Sequence, residues 1–315
     1  MKQFLIRIKE NRWTARLLPV ILLLLIVAFF SIATNGKFTS RNNLDTIFNQ
    51  SLVVGVVATG AGFIFATGNI NVAMGASTAL TATLAAMIYM ATGSLPLMFA
   101  SAIVLGVLLM VFSALLSTLL RVKIMFVTIV MMVLLAALQA ELVGGTNIVL
   151  PYAVIGPIQR SSFSLIACAV FFLICVALFH FTALGRNLKL LGANSVFSGL
   201  TGIKESNALL AAFAISGIGV GLGALMVIFR SGTITNTTCS SLNMDVVLAL
   251  VLGGMPIVGG SRAKIYAGLL GALTVTVLNS GLIMLGVTST LVQGVRGVLF
   301  LLLILSAYQR PDLLP

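Results

Sequence analysis

The chain has 315 residues, of which 60% are hydrophobic and only 8% are charged, and its formal net charge is +12. A soluble domain is about 45–50% apolar and about 25% charged and must cover its surface with polar groups, so composition excludes a soluble globular protein. It excludes a nucleic-acid binder too, because Lys and Arg fall in short patches between apolar runs, with no basic stripe and no reader motif.

A bilayer solvates apolar side chains but demands that every spanning backbone group be hydrogen-bonded within the protein, which only helices and closed barrels achieve. Barrel strands alternate apolar and polar residues, whereas the apolar runs here are continuous and long, as in 17–32. The expected fold class is therefore all-α and integral to the membrane. Residues 1–16 carry Lys2, Arg7, Lys9, Arg12 and Arg16. The apolar stretch that follows is too long for a signal-peptide core, so 1–16 reads as a cytoplasmic tail.

A spanning helix needs about 20 mostly apolar residues. About ten candidates follow in chain order: 17–34, 48–67, 72–92, 95–120, 124–142, 162–181, 206–229, 245–258, 265–285 and 291–307. The eighth is too short to span unaided and reads as broken or partly re-entrant. With the N-terminus inside, thirteen Lys and Arg face the cytoplasm and four (Lys37, Arg41, Arg160, Arg230) face outward, while Arg296 falls within the last span. This asymmetry supports cytoplasmic N- and C-termini. The transmembrane domain is then 17–308, followed by a short cytoplasmic tail, 309–315. Between spans, 144–161 reads as an ordered turn-rich outer loop. The inner segment 183–205 is partly apolar, with glycines separating short helical pieces. Either it folds back on the helix ends or it docks a cytoplasmic partner.

Catalysis finds little support. The acidic residues Glu10, Asp45, Glu141, Glu205, Asp245 and Asp312 lie at or near span ends and form no pair at helical spacing. His180 suits a helix cap. The sole Gly-Lys pair, Gly36-Lys37, is followed by Phe38, so no phosphate loop is present. Cys168 and Cys175 lie about 10 Å apart on one helix face, too far for a disulfide. No cofactor or metal is expected in this chain. Spans almost free of ionisable groups suit a pathway for a neutral polar solute driven from elsewhere, more than a self-powered secondary carrier with intramembrane carboxylates. A membrane enzyme would need a polar catalytic cluster, and none is visible.

Two breaks stand out. In the first, Thr67-Gly-Asn-Ile-Asn-Val-Ala-Met-Gly75, the residues Gly68, Asn69, Asn71 and Gly75 interrupt helix. On a helix Asn69 and Asn71 would diverge by about 200°, whereas an extended break turns both to one side, toward a cavity. A plain cytoplasmic turn is the alternative. The second break holds Gly253, Gly254, Pro256, Gly259 and Gly260, which will not continue a regular helix. Gly55, Gly60, Gly217, Gly219, Gly221, Gly223, Gly268 and Gly271 suit close helix packing. Gln139 and Asn279 suit interhelical hydrogen bonds, and Asn279 is also a candidate pathway residue.

The inner segment carries Gly185, Arg186, Gly192, Asn194, Gly202 and Ile203 in the order and spacing Gly-Arg, Gly-x-Asn, Gly-Ile. This resembles the cytoplasmic segment of the ribose/galactose/autoinducer-type permeases of ABC importers. Gly68 to Gly75 resembles that family's Gly-Gly-Ile-Asp-Leu-Ser-x-Gly break, with Asn69 and Asn71 in place of its second glycine and its aspartate. Leu252 to Gly260, Leu278-Asn-Ser-Gly-Leu and Gln293-Gly-Val-Arg-Gly match further landmarks. The resemblance covers about 40–308. It implies a pathway subunit, most simply for a sugar or a nucleoside, that works with a second identical or similar permease subunit. It also implies cytoplasmic ATPases that bind ATP and Mg, an extracytoplasmic solute-binding protein, and a coupling helix within 183–203.

Overall fold

Each of the ten expected spans holds a helix in the computed structural model, which describes residues 12–307, although the eighth, 245–258, is helical only to Leu252. The described helices are α1 (Arg12–Ala33), α2 (Arg41–Ala66), α3 (Met74–Thr92), α4 (Leu95–Leu120), α5 (Ile124–Val143), α6 (Tyr152–Arg160), α7 (Phe163–Phe181), α8 (Ala183–Ala193), α9 (Ser195–Leu200), α10 (Glu205–Ser231), α11 (Leu242–Leu252), α12 (Tyr266–Met284) and α13 (Ser289–Ala307). Seven of them, α2, α3, α4, α5, α7, α10 and α12, are long and apolar enough to cross a membrane. The apolar parts of α1 (Pro19–Ala33), α11 and α13 (Thr290–Leu302) are shorter. The tail expected at 309–315 lies outside the described residues. So do 1–11 of the N-terminal tail, while 12–16 already belong to α1.

Small residues decide which helices lie at the centre. Lipid removes the hydrophobic force between helices, so association depends on close backbone approach. Gly217 and Gly221 of α10 lie against α4, where an added Cβ would stand 3.0 Å from Val107 N and 2.8 Å from Ile103 Cα respectively. Gly60 of α2 lies against Ser216 Cα of α10 at 3.0 Å, and Gly268 of α12 lies against Thr59 N at 3.0 Å, by the same measure. α2 and α10 are accordingly buried along most of their length. By contrast α4, α5 and α7 turn Leu108, Phe112, Val130 and Leu173 outward. That face would be a fault in water and is what lipid requires.

The loops sort to two ends of the bundle. At one end Asn69, Arg121, Lys123 and Glu205 line a single recess, beside α8 and the α11–α12 connection. At the other end β1 (Ile148–Val149) pairs antiparallel with β2 (Thr233–Ile234). There Gln159 Nε2 donates to Arg230 O at 3.2 Å, and Asn236 Nδ2 donates to Gly144 O at 3.3 Å. The segment 144–161 is more ordered than a turn-rich loop, because β1 finds a partner strand. Ile155 and Ile158, three apart on α6, pack into the apolar cluster that contains Phe229.

Two helices start inside the bundle. α3 begins at Met74, whose Sδ lies 3.5 Å from Ser216 Oγ, beside Gly60. Gly60 lies six residues before the end of α2, which places the start of α3 about 9 Å inside that end. The segment 67–73 thus doubles back along α2. α11 has only 11 residues, as expected for a broken span. It is preceded by the irregular segment 235–241, whose backbone reaches Gly75: a Cβ there would lie 2.8 Å from Cys239 O. Irregular backbone at this depth is tolerated only where protein covers it or a cavity adjoins it. Both conditions are met here.

Candidate functional site

The three glycine-bearing segments of the sequence meet at one point. α2 ends at Ala66, and its last carbonyls need donors. Ala66 O receives the amide of Gly260 at 3.0 Å. This contact is possible because Gly259 and Gly260 have φ of 72° and 90°, the left-handed region that bends the α11–α12 connection back onto α2. Gly192 of α8 closes the junction from the third side. A Cβ on Gly192 would collide with Ala66 O and lie 2.6 Å from Gly260 N. Gly68 lies under Val258 O, at 2.7 Å from where its Cβ would be. Gly253, Gly254 and Pro256 shape the same connection, with Pro256 O accepting from Gly259 N at 3.0 Å.

The other residues of the inner motif hold α8 and α9 in place. Gly185 sits against the backbone of Phe179, so α8 turns sharply off α7. Leu188 and Leu191 are buried, while Arg186 on the opposite face is exposed. Lys189 Nζ lies 4.4 Å from the centre of the Phe179 ring, and partial burial lowers its pKa from the usual lysine value. Asn194 caps α9 by accepting from Phe197 N at 3.0 Å. Gly202 and Ile203, with Leu184 and Lys204, line a recess between α8 and α10. α9 leaves Val196, Phe197 and Leu200 exposed, at 74%, 55% and 82%. This apolar face lies outside the membrane-length helices and has no cover among the described residues.

Asn71 and Asn69 part company. Asn71 is buried. Its Oδ1 accepts from Ala73 N at 2.8 Å and so closes a local turn before α3, while its Nδ2 approaches Met110 Sδ at 3.6 Å. Asn69 Nδ2 donates to Thr67 Oγ1 at 3.0 Å and lines the recess at the bundle end. The local turn before α3 takes one amide inward and leaves the other at the recess.

A second cavity opens where α3 and α11 begin, with a volume of about 370 Å³. Asn243 Oδ1 accepts from Gly75 N, satisfying an orphan amide of α3. Gly75, Gln139, Asn236, Thr238, Ser240 and Asn243 contribute to the lining, beside apolar residues of α3 and α5. Gln139 Nε2 also holds the irregular segment by donating to Thr235 O at 3.0 Å. A neighbouring cavity of about 430 Å³ shares Thr238, Cys239 and Ser240, so 238–240 forms the partition between the two.

One feature corrects the sequence reading. Asp245, expected at a span end, is buried in the first turn of α11, and its Oδ1 lies 3.3 Å from an Arg296 terminal nitrogen of α13. Asn279 of α12 joins them: its Nδ2 donates to Asp245 Oδ1 at 3.1 Å, and Arg296 Nε donates to its Oδ1 at 2.8 Å. Ser241 Oγ donates to Asp245 Oδ2 at 3.2 Å. The reason is that α11 starts inside the protein, so its first turn is buried. Asn279 thus serves three helices as a bridge. A lone acid and a lone base in apolar segments were the available signal for this pairing.

The family model described as "Branched-chain amino acid transport system / permease component" matches residues 43–304, which include the junction, the cavity and the buried triad. The chain belongs to this family. It is a transport-system permease component and a multi-pass protein of the cell membrane. The permease is similar to the ribose import permease protein RbsC of Escherichia coli K12, with 28% identity over 309 residues covering 93% of this chain and 94% of the relative. It is also similar to the autoinducer 2 import system permease protein LsrC of Salmonella typhi, with 26% identity over 299 residues covering 93% and 85%. No solved structure matches it.

Proposed function

We propose that this permease forms the translocation pathway of an ATP-driven ABC importer for a small neutral polar solute, a sugar first and a nucleoside next. It crosses the membrane ten times with both termini in the cytoplasm. α8 is the coupling helix, and α8 and α9 together present Arg186 and the apolar face of Val196, Phe197 and Leu200 to a cytoplasmic ATPase that binds ATP and Mg. A second permease subunit, identical or similar, completes the pathway, and an extracytoplasmic binding protein delivers the solute. The chain itself is not an enzyme. The observation that carries the reading is the contact of Gly192 with Ala66 and Gly260: displacement of α8 reaches both helix breaks through backbone, without slack. A self-powered secondary carrier is disfavoured, because the family is one of components of transport systems.

Solubilising the permease from its native membrane and identifying co-purifying proteins tests the assembly. A nucleotide-binding ATPase is expected, and its absence under conditions where a known ABC complex survives would count against the proposal. Arg186→Glu is expected to uncouple ATP hydrolysis from uptake with membrane insertion intact, as read in vesicles; unchanged coupling would remove α8 from the ATPase contact. Asn71→Leu removes the acceptor that closes the turn before α3, a hydrogen bond worth about 1 kcal/mol. It is expected to reduce uptake while the ATPase still binds, and normal uptake would separate this break from the pathway.

A further inference from the structure

We infer that the cavity between the starts of α3 and α11 is a subsite for a neutral polyhydroxylated solute and rejects zwitterionic amino acids. The inference rests on the pathway role proposed above and locates solute recognition within it. Its volume of about 370 Å³ lies in the range of about 300–1,000 Å³ found for small-molecule sites. None of the residues lining it is charged. The lining nevertheless offers both kinds of hydrogen bond. Asn243 Nδ2 and Ser240 Oγ have no side-chain partner among the described residues, so a donor and a hydroxyl that can donate or accept are free. Gln139 and Asn236 spend their amide nitrogens on Thr235 O and Gly144 O, which leaves their carbonyl oxygens as acceptors. A hydroxyl group both donates and accepts, so a polyol satisfies such a mixed set.

An amino acid fits poorly. Its carboxylate and ammonium would lose water with no opposite charge to meet them, which is far more costly than desolvating hydroxyls. The Gly75 amide, which would serve a carboxylate at this helix start, is already taken by Asn243 Oδ1. The neighbouring cavity differs, since Arg230 and Asp245 line it. The partition 238–240 therefore separates a charged compartment from a neutral one. Family members are named for branched-chain amino acids and relatives for ribose and autoinducer 2, and the lining chemistry selects the polyhydroxylated class.

The test uses two probes, each with one added cysteine, in the full-length permease in lipid nanodiscs. Ala136→Cys lies on the neutral cavity alone and Gln50→Cys on the charged one alone. The wild type, whose own three cysteines give the background, is treated in parallel with a small maleimide. D-Ribose and a panel of pentoses and hexoses are titrated, with L-leucine as the amino-acid probe. A bound sugar is expected to slow labelling of Ala136→Cys along a single-site curve, to about one tenth when its concentration is about ten times its dissociation constant. Leucine and the Gln50→Cys probe are expected to show no protection. Adding Gln139→Leu and Ser240→Ala, with an unchanged size-exclusion profile, is expected to weaken protection. Protection by leucine equal to that by sugar, protection confined to Gln50→Cys, or no protection by any sugar overturns the inference. ATP-driven uptake by the assembled complex is measured alongside. Uptake of a sugar without protection overturns the subsite and keeps the importer reading. Protection without ATP-driven uptake of any solute keeps the subsite and overturns that reading.

Discussion

Gly192→Ala is expected to abolish solute uptake while ATP hydrolysis by the assembled complex continues. The new methyl group would meet Ala66 O and Gly260 N, the latter at 2.6 Å. Both are backbone atoms, so no rotamer change can make room, and α8 must lift off the junction. Overpacking of this kind costs about 1–3 kcal/mol, enough to displace one short helix without unfolding a bundle whose core lies elsewhere. Gly199→Ala supplies the control, because nothing lies within 4 Å of its added Cβ; it is expected to behave as wild type. The ratio of solute moved to ATP hydrolysed, measured in proteoliposomes, decides the matter. A normal ratio in Gly192→Ala would show that the three-way contact plays no part in coupling.

The second large effect belongs to the triad. Asp245→Leu leaves Arg296 charged, buried and short of a partner, and Arg296→Met does the same to Asp245. Each is expected to destabilise the permease by about 3–5 kcal/mol, the usual result of removing one half of a buried pair. The double variant Asp245→Leu/Arg296→Met is expected to regain most of that loss, since an apolar pair of similar volume commonly replaces a buried ion pair without penalty. Thermal inactivation midpoints in detergent, read as a double-mutant cycle, give the coupling. Strict additivity of the two single losses would mean that the ion pair is not what holds α11 to α13. Asn279→Leu is expected to fall between, because it removes one donor and one acceptor and leaves the charges at 3.3 Å.

Hydropathy carried the helices well: every apolar run holds a helix, and of the glycines assigned to packing Gly60, Gly217, Gly219, Gly221, Gly268 and Gly271 lie where a neighbouring backbone approaches, whereas Gly55 and Gly223 meet side chains. The inner motif was legible for the same reason, since its glycines and Asn194 each perform a local backbone task that residue type announces. What sequence could not convey is convergence. Gly192 and Gly260 belong to separate segments, and nothing in their spacing says that they meet at Ala66. The depth of the segment 235–241 was also hidden. Thr235, Asn236, Thr237, Thr238 and Ser240 have the composition of an aqueous loop, and only the two cavities they line let them sit within the protein. Asp245 was misplaced as a consequence, because a helix assumed to begin at the surface has a wet first turn. The turn that Asn71 closes onto Ala73 N likewise overrode the simple alternation that would have turned Asn69 and Asn71 to one side.

The glycine junction also imposes an order on biosynthesis. Ala66 leaves the ribosome early, yet its carbonyl is met by Gly260, synthesised almost 200 residues later. At about 5–20 residues per second, the end of α2 stays unmatched for about ten to forty seconds. Throughout that interval water at the bilayer surface, or a chaperone, must serve the open carbonyl. A nascent permease stalled before the α11–α12 connection therefore holds most of its spans but only the Gly192 side of its junction, and so presents an unfinished end of the bundle to quality-control proteases.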